Sequence, residues 1–179
     1  MTVINYERIV SQKIREVHDF PKKGIAYKDI TPLLACAHSS STVIDAFEHQ
    51  LSQSKVDAVV GIESRGFIFG MMLANRLNVP FVPIRKAGKL PHHTIAQQYD
   101  LEYGSATIEI HTDSIKEDWN VVIHDDLLAT GGTANAAAKL ITQLGGNVES
   151  YLFLLELTYL SGRKILEKNT ETIFSLVKY

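Results

Sequence analysis

The sequence has 179 residues, 45% of them hydrophobic, with a net charge of −2 and one cysteine, Cys36; that length suits one globular domain, 1–179, hiding roughly 70% of its unfolded surface. Near-neutral charge excludes a general basic field for nucleic acid or membrane, and a single cysteine excludes an internal disulfide and suits a reducing cytosol. No charged segment leading into an apolar one opens the chain, and no apolar run nears the ~18 residues of a membrane span, so a cytoplasmic protein is expected.

Residues 4–17 place Ile4, Ile9, Val10, Ile14 and Val17 near helical spacing, which predicts a short amphipathic helix ending before Phe20-Pro21. Residues 20–34 are framed by prolines and follow neither period, so they read as a loop. They nevertheless carry Ile25, Tyr27 and Leu33, too apolar for an idle one. An aromatic ring flanked by free backbone amides can stack on a planar base; the bland alternative is a proline-framed core loop. Ser40 or Ser41 can cap a helix burying Val43, Ile44, Phe47 and Leu51. Val56–Ile62 reads as a buried strand, and after Glu63-Ser64-Arg65-Gly66 a helix with Phe67, Phe69, Met71 and Leu73 follows. A strand-turn-helix offering N–H groups and an arginine is a candidate anion site, unless Arg65 merely sits in a surface ion pair.

Val79–Ile84 is a further strand. Beyond it, residues 85–99 are basic, polar and without apolar period, which predicts a structureless stretch. A loop that long is usually functional or disordered, and its cations suit a lid over a polyphosphate. Residues 85–99 are therefore read as a flexible lid. His92 and His93 sit within it as solvated neighbours, since adjacent histidines chelate poorly. Ala106–His111 then alternates as a strand.

The stretch Val121–Ala134 is the most specific in the chain. An apolar β-branched run ends in Asp125 and Asp126, a turn with two glycines and two threonines follows, and Ala134–Leu144 reads as a helix. Turn amides and helix N-terminus converge on one anion, and glycine lets the backbone approach it. Two acids would repel a bare phosphate, so they call for ribose hydroxyls or a bound Mg²⁺. The stretch matches neither the P-loop nor the dinucleotide loop. Val148–Leu155, 160–166 and Thr172–Val177 complete the pattern as strand, short helix and strand. Alternating elements predict an α/β, doubly wound, mainly parallel sheet flanked by helices, with both anion loops at the strands' C-terminal ends.

His124-Asp125-Asp126-Leu127-Leu128-Ala129-Thr130-Gly131-Gly132-Thr133 closely resembles the phosphoribosyl-diphosphate (PRPP) motif of the type I phosphoribosyltransferases, in the form carried by the members that act on adenine. Most members have an aliphatic residue at the place of His124. Residues 20–34 resemble that family's base-binding hood, and residues 61–67 its pyrophosphate loop. Residues 85–104 match its R-K-x-G-K-L-P…Y-x-L-E-Y-G pattern, and Glu156-Leu157-Thr158 with Gly162-Arg163 echo its E-L-x-x-L-x-G-R end. The likeness runs from about Phe20 to the C-terminus.

The resemblance implies the type I phosphoribosyltransferase fold, with a small N-terminal hood in 1–35. It implies transfer of the phosphoribosyl group of PRPP to adenine, giving AMP and pyrophosphate, in a homodimer. By position it assigns Ala26 to backbone contacts with adenine, Tyr27 to stacking, and Lys28, which replaces an arginine, to its backbone alone. Arg65, Lys86 and Lys89 fall to pyrophosphate, Asp125 and Asp126 to ribose, and Leu127, Ala129, Thr130, Gly131, Gly132 and Thr133 to the 5-phosphate turn. Glu102 stands at the reaction centre beside Tyr103, as base or electrostatic stabiliser, and a cis peptide is implied at Glu63–Ser64. Mg²⁺ is implied as cofactor, held mainly through PRPP, with Asp125 and Asp126 the protein groups able to share it. Two rivals stay open at this point: transfer to another base, and a PRPP-sensing regulator without the chemistry.

Overall fold

The computed structural model describes residues 5–100 and 104–179. The chain opens with α1 (Tyr6–Ser11), β1 (Arg15–His18), β2 (Ala26–Asp29), α2 (Thr31–Leu34) and α3 (Ala37–Gln50). There follow β3 (Ala58–Ile62), α4 (Gly66–Leu77), β4 (Phe81–Lys86), β5 (Thr94–Asp100) and β6 (Ser105–His111). The last part holds β7 (Asn120–Leu128), α5 (Gly132–Gln143), β8 (Asn147–Glu156), a 3₁₀ turn at Thr158–Leu160, α6 (Arg163–Leu166) and β9 (Ile173–Lys178).

Runs of Val, Ile and Leu take the middle of the molecule because helices cover both of their faces. The seven-stranded sheet has the order β5-β6-β4-β3-β7-β8-β9. From β4 through β9 every neighbouring pair is parallel, while β6 joins β4, and β5 joins β6, antiparallel. Alternate residues of a strand point to opposite faces. Val60, Ile123 and Phe153 accordingly pack with the alanine-rich face of α5, while Val59, Val122 and Leu152 pack with Phe47 of α3 and Phe69 of α4. Each fully buried side chain of that size contributes about 1.5–3 kcal/mol. The doubly wound reading holds.

Five local expectations are corrected. The helix expected to be capped by Ser40 or Ser41 begins earlier, at Ala37 with Cys36 as its N-cap, so both serines lie inside it. The helix over 4–17 is only α1, since Arg15–His18 pairs with Ala26–Asp29 in a separate two-stranded sheet, Val17 opposite Tyr27. The loop over 20–34 accordingly contains β2 and α2. Its bend carries a cis Phe20–Pro21 bond, and Asp19 Oδ1 accepts the Gly24 N–H at 2.6 Å. The helix over 160–166 is shortened to α6, because Ser161, at φ +54°, closes the 3₁₀ turn Thr158–Leu160 in the left-handed region and breaks the run. The largest correction is the arm: residues 94–100 are a strand, paired with β6 from Thr94↔His111 to Asp100↔Ser105. Ile95 and Tyr99 lean on the core beside α5, but Gln97 takes the half-buried position between them, so the strand's two-residue period does not show as apolar in the sequence.

Candidate active site

The site is built where β7 stops. Its buried run delivers Asp125 and Asp126 to the sheet's C-terminal edge, beside Phe153 of β8. Gly131, at φ +80°, turns the chain into α5, whose first-turn N–H groups have no intrahelical carbonyl to bond. A small cavity of about 60 Å³ opens there, lined by Asp125, Leu127 to Ala134 and Phe153. Asp125 Oδ1 accepts the Asp126 N–H at 2.9 Å. Burial and the charge of Asp126 push the Asp125 carboxyl above the usual range. Burial also raises Asp126, against the pull of Arg65. These are acids waiting for a partner that donates protons or brings positive charge.

Arg65 supplies part of that partner. Its Nε lies 2.9 Å from Asp126 Oδ2, a contact of charge rather than an aligned hydrogen bond. Its Nη1 donates to the Tyr27 hydroxyl. Gly66, the next residue, sits so near the end of β7 that a Cβ would stand 2.9 Å from Asp125 Oδ1. That close approach brings the two anion loops together. The peptide Glu63–Ser64 is cis, as the resemblance implied.

Glu63 occupies the middle of the second loop. It accepts from the Lys89 ammonium, from the Lys86 N–H at 3.0 Å and from Arg85 Nε at 3.3 Å. The Lys89 hydrogen bond holds its carboxyl below the usual range, against burial. Glu109 of β6 does similar work behind the arm, its Oε1 accepting the Lys89 and Leu90 N–H groups, each at 3.0 Å. Burial pushes Glu109 up, but those amides prevail and keep it ionised. Neither acid was given a role from sequence. Glu109 had a signal, a carboxylate flanked by Ile108 and Ile110 in a strand buried across all three.

On the hood side, the Tyr27 ring takes the edge of Phe20 at 5.2 Å and, with Val17 and Asp29, lines an apolar cleft of about 290 Å³. Ala26 is exposed beside it. The Lys28 ammonium turns away, onto Glu16 and over the Tyr179 ring at 3.9 Å. Its side chain is thus spent within the hood. Lys86 is exposed on the arm, and the end of the arm meets α5, with the Asp100 carbonyl 3.3 Å from where a Gly132 Cβ would be. Arg65, Tyr27, Asp126 and the turn 129–133 therefore converge, whereas the Lys89 ammonium is held on Glu63. Glu102 and Tyr103 lie outside the described residues.

Among the described residues no three His, Cys, Asp or Glu side chains gather as a metal cage. The adjacent carboxylates Asp125 and Asp126 fit a cation that brings most of its ligands with it, as Mg²⁺ on a polyphosphate does.

Fold and site together define a doubly wound α/β protein with an acid pair and a glycine turn at the C-terminal edge of its sheet. A family model described as "Phosphoribosyl transferase domain" matches residues 34–173. The chain is 52% identical over 166 residues to an adenine phosphoribosyltransferase of Christiangramia forsetii, covering 93% of this chain and 96% of that one. The crystal structure of adenine phosphoribosyltransferase from Thermoanaerobacter pseudethanolicus superposes with a TM-score of 0.92 at 50% identity, covering 97% of this chain and 99% of the other. The enzyme from Saccharomyces cerevisiae, solved with an imino-altritol bisphosphate and adenine, gives a TM-score of 0.90 at 40% identity, covering 96% and 98%. The chain belongs to the phosphoribosyltransferase family, in its adenine phosphoribosyltransferase branch.

Proposed function

We propose that this chain transfers the 5-phosphoribosyl group of PRPP to N9 of adenine, releasing pyrophosphate and AMP in purine salvage. The observation that carries the reading is Arg65, which reaches the ribose acid Asp126 and the hood ring Tyr27 at once. A base, a ribose and a pyrophosphate laid across those residues would meet in one crevice. The turn Ala129–Thr133 grips the 5-phosphate as a handle that orients C1, and Leu127 borders it. Asp125 and Asp126 accept from the ribose hydroxyls. Adenine lies in the hood formed within 1–35, stacked on Tyr27 and read by backbone groups around Ala26 and Lys28.

Bond cleavage at C1 passes through an oxocarbenium-like state, as in glycoside chemistry. Arg65, Lys86 and Lys89 face the departing pyrophosphate from the arm and the second loop; Lys89 must first leave Glu63. Mg²⁺, when bound with PRPP beside Asp125 and Asp126, supplies further neutralisation of that leaving group. Glu102, with Tyr103 next to it, polarises or deprotonates the purine. We place the enzyme in the cytoplasm as a homodimer. Met71, Met72 and Ile68, exposed on α4 at 52%, 39% and 37%, supply an apolar face for the second copy.

The test is a spectrophotometric assay with PRPP, Mg²⁺ and each purine in turn. An oxo group at C6 would set acceptor against acceptor, leaving a buried polar group unpaired at a cost of about 1–3 kcal/mol. Adenine should therefore lead hypoxanthine by at least roughly 5-fold in kcat/KM. Comparable turnover of both would defeat the adenine assignment, and no turnover of any purine would leave only a PRPP-binding protein.

A further inference from the structure

The 5-phosphate turn is held from outside by a residue thirty positions further along the chain. A Cβ on Gly162 would stand 2.2 Å from the Ala129 carbonyl oxygen, 2.8 Å from the Gly131 nitrogen and 2.8 Å from the Thr130 carbonyl carbon. Reciprocally, a Cβ on Gly131 would lie 2.6 Å from the Gly162 carbonyl oxygen. The backbone at Gly162 is ordinary, φ −59° and ψ −30°, so conformational freedom does not require glycine there. Space does. The atoms in the way are main-chain atoms of the turn, which cannot rotate aside as a side chain could.

Gly162 is itself tethered on three strands. Arg163 makes a forked contact with Glu156 at the end of β8, at 3.1 and 2.6 Å, and donates to the Ile173 carbonyl of β9 at 2.7 Å. Glu156 is buried, with its carboxyl held below the usual range by the Arg163 fork against the cost of burial. Leu157 N–H donates to the Leu128 carbonyl at 2.9 Å, directly before the turn. Leu166 pins the far end of α6 in the core. The ends of β7, β8 and β9 thus fix Gly162, and Gly162 presses on the peptide planes of Ala129 to Gly131.

We infer that Gly162, anchored by the Arg163–Glu156 pair, is a positioning residue that sets the aim of the turn's amides on the 5-phosphate. The inference rests on the sugar-phosphate reading of that turn. Hydrogen bonds from backbone N–H groups hold only over about 2.7–3.2 Å, and a displacement near 1 Å in a binding constellation can cost ~10²-fold. A methyl at Gly162 forces a displacement of that order on the turn and touches neither hood nor pyrophosphate loop.

The test compares AMP with adenosine, which differ only in the 5-phosphate, by titration calorimetry on the full chain. Gly162→Ala should lower the ratio of AMP to adenosine affinity by roughly 10- to 100-fold, with adenosine and inorganic pyrophosphate affinities kept within about 3-fold. A loss spread equally over all three ligands, or an unchanged ratio in a folded variant, overturns the inference. Should Gly162→Ala fail to fold, Arg163→Lys keeps the charge and loses the fork. It must lower the same ratio, and an unchanged ratio there also overturns the inference. Wild-type protein that binds AMP no better than adenosine would refute the sugar-phosphate reading itself, a separate outcome.

Discussion

His124 makes this protein acid-sensitive in a way that can be worked out in advance. The side chain is fully buried, its Nδ1 lies 2.8 Å from the Leu152 carbonyl, and the Phe47 ring packs on it at 5.2 Å. The carbonyl can only accept, so the proton sits on Nδ1, and Nε2 faces no hydrogen-bond partner among the described residues. Burial pushes the imidazole down from 6.5 to about 4. The unfolded chain therefore binds a proton below pH 6.5 that the folded chain refuses until about pH 4. Stability is complete above 6.5 and drains away as the pH falls through that window. At about pH 5 the loss is about 2 kcal/mol, and it reaches at most about 3 kcal/mol. Raised carboxyls such as Asp125 act in the opposite sense, so the wild-type curve alone is ambiguous. Subtracting His124→Leu, an aliphatic of similar bulk, cancels those shared contributions. Urea unfolding at pH 8, 6 and 5 should show the variant gaining about 2 kcal/mol on wild type between the extremes, whatever its offset at pH 8. Parallel pH dependences would refute the reasoning.

Three further outcomes are expected. Glu63→Gln removes the charge that tethers Lys89 and the Lys86 amide, at about 1.5–3 kcal/mol for a charge-assisted bond. Trypsin should then nick the ligand-free arm at least several-fold faster, and equal rates would show the tether to be idle. Arg65→Lys keeps a charge but cannot reach Tyr27 and Asp126 together; kcat/KM for PRPP should drop by ~10- to 100-fold, and wild-type kinetics would remove Arg65 from the site. Glu102→Gln should lower kcat by ~10²-fold while PRPP still binds, whereas an unchanged kcat with a raised KM for adenine would mark a binding role.

What could be read in advance was what the chain states locally. Val121–Ile123 announces a strand covered on both faces, because an apolar β-branched run is unfavourable in water, and Gly131 and Gly132 announce a tight turn into the next helix. The hood strands could not be read, since the partner of Val17 is Tyr27 and strand pairing is settled between residues, not within a run. The arm failed for a related reason. Its pairing with β6 supplies through backbone hydrogen bonds what its polar side chains do not advertise. Gly162 is the extreme case: nothing around it demands glycine, and the demand comes from the Ala129 carbonyl far earlier in the chain. Likewise Glu63 looks like a misplaced acid in a polyanion site until the cations around it are seen.

In the binding mode proposed above, the shared guanidinium of Arg65 would make the two ligands effectors of one another. In the described state it divides itself between Tyr27 and Asp126. A pyrophosphate group that claimed it would loosen the hood ring, and a base that drew Tyr27 aside would free the guanidinium in turn. Coupling of binding free energies is reciprocal by necessity. Whatever factor pyrophosphate applies to the affinity for adenine, adenine must apply the same factor to pyrophosphate. Tyr27→Phe, which loses only the hydroxyl that Arg65 grips, should therefore shift pyrophosphate affinity and shrink that mutual factor towards one.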